Sequence, residues 1–142
     1  MKIILASHGS LAEGLLSAAR TIIGEDSDIE AFGLDMYENT SAITGEVQKR
    51  IDAGDGEHTV ILCDIKGGSV FNELLPLCAQ KSVSLICGMN LNLVLELAMA
   101  DSSGGVRDVQ EDAIWVAKTF IEYYDADVLS ALRQEECEDG LW

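Results

Sequence analysis

The sequence predicts an α/β protein with a doubly wound, mainly parallel sheet, flavodoxin-like strand order and helices on both faces. Short runs of apolar and β-branched residues alternate with amphipathic helical windows, a pattern typical of βα units. The first run, KIILAS at residues 2–7, is almost continuously apolar, as expected of a strand buried on both faces. A chain of 142 residues with 48% apolar residues can bury the core of one such domain.

The first helix is predicted from Ser10 to Ile23. Apolar residues recur on one face of this segment at helical spacing, Ser10 can serve as the N-cap, and Gly24 follows the last turn. The stripe consists of Leu11, Leu15, Ala18 and Ile22.

Three further βα units follow. Strands are predicted at residues 29–34, 58–63 and 83–87, and apolar stripes predict a helix after each of them. The single proline, Pro76, should kink or shorten the third helix, because it cannot donate to the helical ladder. The stripes are Ile43, Val47 and Ile51 for the second helix, Phe71, Leu74, Leu75 and Cys78 for the third, and Leu91, Val94, Leu95 and Ala98 for the fourth.

A last helix is predicted from Asp108 to Tyr124. It carries two apolar stripes, so we expect one side to face the sheet and the other a partner subunit. Residues 1–125 are predicted to form the domain. Residues 126–142 are a separate C-terminal segment with a short apolar patch and an acidic end.

The net charge of −16 excludes several classes of function. Nucleic acid and anionic membranes both attract basic surfaces, and this chain has 9 basic residues against 25 acidic ones. No apolar run reaches the length of a membrane span, and the apolar start is too short for a signal peptide. The four cysteines lack metal-ligand spacing, which favours reduced thiols and a cytoplasmic protein.

Two turns of the sequence carry chemistry. Ser7-His8-Gly9-Ser10 follows the first strand, and Asp64-Ile65-Lys66-Gly67-Gly68-Ser69 follows the third. In a flavodoxin-like sheet the first and third strands are neighbours at the switch point, where ligand sites form. The two turns should therefore face one crevice.

These residue types together favour phosphoryl chemistry on a histidine. Asp64 can accept a hydrogen bond from Nδ1 of His8 and leave Nε2 with its lone pair towards solvent. A phosphoryl group on Nε2 would then meet the N-terminal ends of the helices that begin at Ser10 and Ser69. The glycines of the two turns allow backbone amides to approach closely. These glycines are Gly9, Gly67 and Gly68.

Each feature has a structural alternative when taken alone. An aspartate at a strand end is commonly a helix cap, and Gly-Gly-Ser is commonly a turn. Their joint placement favours function. The chain lacks the Gly-x-Ser-x-Gly elbow of serine hydrolases and the P-loop signature. It also lacks the acidic pair that holds Mg²⁺ in response-regulator receivers, so the predicted site needs no metal.

Three segments resemble the enzyme IIA (EIIA) domains of the mannose family of the bacterial phosphoenolpyruvate-dependent sugar phosphotransferase system. They are IILASHGSLAEGLLSAARTIIG at residues 3–24, CDIKGGSVFNELL at 63–75 and GMNLNLVLELA at 88–98. The resemblance covers about residues 1–125, which makes this part an EIIA-type phosphocarrier domain. Lys66 departs from the pattern, because the family usually has an apolar or aromatic residue there.

The resemblance implies a mechanism and partners. His8 matches the histidine that accepts a phosphoryl group from the phosphocarrier HPr and gives it to an enzyme IIB. Asp64 matches the carboxylate that orients this histidine, and Ser69 the hydroxyl beside the phosphoryl group. The resemblance also implies a homodimer with an exchanged C-terminal strand, here placed in residues 126–142. It implies no cofactor, no metal, and cooperation with a separate membrane permease.

Two alternatives remain open: a regulatory module phosphorylated at the same histidine, and a phosphoryl donor to dihydroxyacetone kinase. The charge distribution fits transfer of an anion under any of them. Residues 1–24 and 60–100, which carry both turns, contain four basic and four acidic residues, whereas residues 25–59 and 101–142 each contribute −8. We expect a neutral site and an acidic periphery that steers a basic protein partner.

Overall fold

Four parallel strands form a single sheet in a computed structural model that describes residues 1–101 and 103–140. The strand order is β2-β1-β3-β4. The strands are β1 (Lys2–Ser7), β2 (Ile29–Gly33), β3 (Thr59–Cys63) and β4 (Val83–Cys87). The helices are α1 (Leu11–Ile23), α2 (Thr40–Ala53), α3 (Ser69–Leu74), α4 (Leu91–Met99), α5 (Val106–Thr119) and α6 (Ala126–Asp139). This arrangement confirms the predicted parallel sheet and its flavodoxin-like order.

Apolar side chains cover both faces of the sheet. One face packs against α1, α4 and α5, and the other against α2 and α3. The central strand β1 alternates between the two faces, with Ile3 and Leu5 in one cluster and Ile4 and Ala6 in the other. The continuous apolar run that predicted this strand thus reflects burial on both sides.

The third helix is short, as the proline predicts. The α-helical part ends at Leu74, and a 3-10 segment continues from Leu75 to Ala79 with Pro76 in its first turn. Proline is tolerated in a first turn, where its missing N–H is not needed.

The structure confirms the N-cap position predicted for α1 but not the expected side-chain bond. Ser10 occupies the cap position, but its side chain makes no cap hydrogen bond. The buried hydroxyl of Ser7, at the end of β1, instead accepts from the backbone N–H of Ala12 at 2.8 Å.

The C-terminal segment differs most from its prediction. The last sheet-packed helix, α5, ends at Thr119 rather than Tyr124. A strand was expected in residues 126–142, but residues 126–139 form the helix α6, and residues 141 and 142 lie outside the described residues. Leucine, alanine, glutamate, glutamine and arginine dominate residues 126–139, and all are strong helix formers. Asp125 caps this helix by accepting from the N–H of Val128 at 2.9 Å.

Within residues 1–101 and 103–140, no helix combines the length and apolar character needed to cross a membrane.

Candidate active site

The two predicted turns meet at the carboxyl end of the sheet. Strands β1 and β3 are direct neighbours, with Ala6 paired to Cys63 at their ends. His8 and Asp64 follow these two positions in the chain, so the sheet register brings them together.

Asp64 binds His8 twice through one oxygen. Oδ2 accepts from the backbone N–H of His8 at 2.8 Å and lies 2.8 Å from Nδ1 of the ring. The other oxygen, Oδ1, accepts from the backbone N–H of Ile65 at 2.9 Å. This carboxylate therefore fixes both the backbone and the ring of His8, and its position favours the tautomer with the proton on Nδ1.

The environment of Asp64 favours its ionised form. Burial alone would raise the pKa of this carboxyl group, but the hydrogen bonds from the backbone and ring of His8 and from Ile65 outweigh burial. The net result is a pKa below the ordinary value of aspartate. A charged carboxylate thus stands behind the imidazole.

The other ring nitrogen faces the surface. Nε2 of His8 lies 3.1 Å from Oγ of Ser69, the first residue of α3, and the His8 side chain is 43% exposed. With the proton on Nδ1, Nε2 carries the lone pair and the Ser69 hydroxyl donates to it. The ring is therefore fixed by Asp64 at Nδ1, while the side of the ring that carries Nε2 is accessible to solvent.

The structure requires glycine at three positions of the site, for backbone conformation at two of them and for lack of space at the third. Gly9 and Gly67 adopt positive φ angles of 53° and 79°, which residues with a Cβ rarely adopt. At Gly68 a Cβ would lie 3.0 Å from Cε1 of His8 and 2.9 Å from the Ile65 side chain. Gly68 is therefore in close contact with the imidazole ring.

Two predicted site features are weaker than expected. The helix that starts at Ser69 has only six residues, so its dipole is weak. Its main contribution to the site is the Ser69 hydroxyl. Ser10 lies at the start of α1 but its side chain does not cap the helix. Lys66 is exposed and forms no ion pair among the described residues.

A third strand end also reaches the site, which the sequence interpretation missed. The backbone N–H of Asp35 donates to the carbonyl of Gly9 at 3.2 Å, and that of Gly33 donates to Glu13 at 2.6 Å. The signal in the sequence was Ser10-Leu11-Ala12-Glu13, the Ser-x-x-Glu pattern of a helix start. The glutamate is present in the first turn as that pattern implies, but it binds β2 instead of closing a capping box.

Comparison with known proteins identifies the family. The family model EIIA-man, described as "PTS system fructose IIA component", matches residues 2–114. The sorbose-specific EIIA component of Lacticaseibacillus casei is 24% identical over 121 residues, which are 84% of this chain and 88% of that protein. The mannose-specific EIIAB component of Escherichia coli K12 is 28% identical over 100 residues, 69% of this chain but 31% of that longer protein.

Solved structures show the same fold. A Klebsiella pneumoniae protein, named as a candidate phosphoenolpyruvate-dependent sugar phosphotransferase system permease, has a TM-score of 0.75 at 27% identity. The match covers 86% of this chain and 89% of that one. Because the family model spans most of the sequence, the chain belongs to the EIIA-man family and is an EIIA component of the sugar phosphotransferase system in the mannose and sorbose branch.

Proposed function

We propose that this EIIA component accepts a phosphoryl group from HPr on Nε2 of His8 and passes it to an enzyme IIB during sugar uptake. The observation that carries the proposal is the position of Asp64, which binds Nδ1 at 2.8 Å while Nε2 remains accessible. This arrangement gives the imidazole one nucleophilic nitrogen and fixes its direction.

The geometry supports the following transfer. The Nε2 lone pair attacks phosphorus, the bond from phosphorus to the donor breaks, and its electron pair returns to the donor. Positive charge that develops on the imidazole is stabilised by the ionised Asp64 at Nδ1. The Ser69 hydroxyl, 3.1 Å from Nε2, must release the lone pair and can then donate to a phosphoryl oxygen. Delivery to the IIB protein reverses these steps.

Exposed apolar side chains around His8 support protein partners rather than a small substrate. Leu11, Met36 and Ile65 are 48%, 73% and 58% exposed, and they follow the carboxyl ends of three different strands. Surface apolar groups that converge on a reactive residue are typical of docking sites. We place HPr and the IIB protein on this face in turn, in the cytoplasm.

The test is phosphorylation in a defined mixture. The chain is incubated with phosphoenolpyruvate, enzyme I and HPr, and intact mass should show one added, acid-labile phosphate. His8→Ala should show none. A His8→Ala variant that still gains the phosphate would contradict the assignment of the nucleophile.

A second step of the same experiment separates transport from regulation. A cognate IIB protein added to the phosphorylated chain should remove the label within seconds to minutes. Asp64→Asn should slow acceptance by about 10²-fold, the scale of a misplaced base or tautomer. Label that no IIB protein removes would contradict the transport role while leaving the phosphorylation of His8 intact.

We further propose that the chain works as a homodimer that exchanges C-terminal residues. Residues 121–125 follow α5 without helix or strand assignment, and in the described part of the chain β4 pairs only with β3. Addition of residues 121–125 as a strand to the free edge of β4 in a second copy would satisfy backbone groups of both segments. The exchanged strand predicted for residues 126–142 thus moves to the segment before α6.

A further inference from the structure

We infer that the negative charge of Glu13 destabilises the phosphorylated form of His8 and so favours transfer of the phosphoryl group to the next protein. The carboxylate lies at Gly33, next to the Gly9 turn. This inference rests on the proposed function, since it concerns the same phosphohistidine. Glu13 is the third residue of α1, and its carboxylate binds the backbone of Gly33. It is a positioning residue, not a catalytic one.

The carboxylate of Glu13 is fixed between the end of β2 and the turn that carries His8. Its Oε1 accepts from the backbone N–H of Gly33 at 2.6 Å, which ties α1 to the end of β2. A Cβ on Gly33 would lie 2.1 Å from the second oxygen, Oε2, and 2.6 Å from the carbonyl oxygen of Gly9. The carboxylate, the glycine of β2 and the turn that carries His8 therefore pack together without room for a methyl group.

The charge of this carboxylate is poorly compensated. Its Oε2 is buried and has no hydrogen-bond partner among the described residues. Arg20, which lines the same surface groove two turns further along α1, pairs with Glu25 instead, at 3.6 Å. No basic side chain in the described part of the chain forms an ion pair with Glu13.

Phosphorylation of His8 adds about two negative charges beside Gly9, whose carbonyl oxygen borders the contact between Gly33 and Glu13. A partly buried carboxylate repels them more strongly than a solvated one, because protein screens charge less than water does. The N–H groups at the start of α1 attract the same phosphoryl group. The Glu13 carboxylate opposes that attraction. The phosphohistidine is therefore less stable, and transfer of its phosphoryl group to the next carrier protein is more favourable.

The test compares three variants with the wild type in the phosphoryl equilibrium with HPr. Glu13→Gln keeps an oxygen for the Gly33 N–H but lacks the charge, and we expect it to shift the equilibrium about three- to tenfold towards the phosphorylated chain. Glu13→Asp keeps the charge but cannot reach Gly33 as well; it should lose stability and keep the wild-type equilibrium. Asp112→Asn, on the exposed face of α5, removes a remote charge and should change nothing.

Two outcomes would overturn the inference. One is a Glu13→Gln variant whose phosphoryl equilibrium equals that of the wild type. The other is a Glu13→Asp variant whose equilibrium shifts as far as that of Glu13→Gln, which would mean that packing and not charge causes the effect. Should the wild type take no phosphoryl group from HPr, the proposed function fails. The phosphorylated fraction at a fixed ratio of phosphoramidate to ammonia then still tests Glu13, because this donor needs no protein partner.

Discussion

Asp64 couples the chemistry of the site to its stability, because the same oxygen binds the backbone and the ring of His8. A backbone hydrogen bond makes the carboxylate part of the fold, and the ring contact makes it part of the site. Replacement of this residue should therefore be visible in unfolding as well as in transfer.

The pH dependence of that contribution has a defined sign. The pKa of Asp64 is lower in the folded protein than its ordinary value of 3.8. The stabilisation is therefore fully present above about pH 4 and is lost as the pH falls through the folded-state pKa. We expect Asp64→Asn to lower the free energy of unfolding by about 1–3 kcal/mol at pH 6, the scale of hydrogen bonds to a charged group.

Urea unfolding at pH 6 and near pH 3 measures this effect. The gap between wild type and Asp64→Asn should narrow at the lower pH, because the wild-type carboxyl then becomes protonated. Other carboxyls also titrate there, but both proteins share them, so the difference isolates Asp64. A gap that stays constant between the two pH values would mean that the carboxylate charge does not stabilise the fold.

At the level of elements, the start of α1 depends on the strand before it. The Ser7 hydroxyl, wholly buried at the end of β1, accepts from the N–H of Ala12 at 2.8 Å. Ser10 occupies the cap position without a side-chain cap bond. Helix α1 is thus anchored to the sheet directly.

This difference predicts a contrast between two serine variants. Ser7→Ala should cost about 1–2 kcal/mol in the free energy of unfolding, because a buried backbone donor loses its acceptor. Ser10→Ala should cost less than about 0.5 kcal/mol. Equilibrium denaturation of both variants provides the measurement, and a larger loss for Ser10→Ala than for Ser7→Ala would contradict the observed cap.

The elements that the sequence predicted well are those whose signals are local. The apolar run of β1 and the position of Pro76 depend on neighbouring residues, and both were interpreted correctly. The pairing of His8 with Asp64 followed from one topological rule, that the first and third strands are adjacent. Ser7 and Glu13 were missed because their bonds to Ala12 and Gly33 depend on how the start of α1 packs against the ends of β1 and β2.

The C-terminal segment was mispredicted for a different physical reason. Its strand assignment came from family resemblance, which is weak after Tyr124, whereas the local composition of residues 126–139 favours a helix. Burial in a core does not oppose that preference, since residues 118–140 are exposed with the exception of Val128. Local propensity decides the structure where tertiary packing is missing.

At the scale of the whole molecule, the net negative charge and a second exposed apolar surface lie in segments other than those that carry the two site turns. The segments that carry the two site turns have no net charge, and the −16 comes equally from residues 25–59 and 101–142. The second of these segments also exposes a run of large apolar side chains. They are Phe120, Ile121, Tyr123, Tyr124, Leu129 and Leu132, between 40% and 77% exposed.

This surface approaches the area of one side of a standard interface. The three aromatic side chains have about 150–250 Å² each and the three aliphatic ones add to this, so the six partly exposed residues present on the order of 600 Å² per copy. A standard interface buries about 800 Å² on each partner, so little more is needed from the edge of β4. We expect the wild type to sediment as a dimer at micromolar concentration and Ile121→Lys with Tyr123→Lys to sediment as a monomer.

Glu135→Lys serves as the matched control, because it also adds a lysine to an exposed C-terminal position and keeps the apolar run intact. Sedimentation velocity of the three proteins at several concentrations decides the matter. The double variant should keep its helix content and its phosphorylation at His8, since the His8–Asp64 pair and Ser69 all come from one copy. A wild type that remains monomeric at tens of micromolar would remove the exchange, and with it any role for residues 121–125 in assembly, without affecting the site.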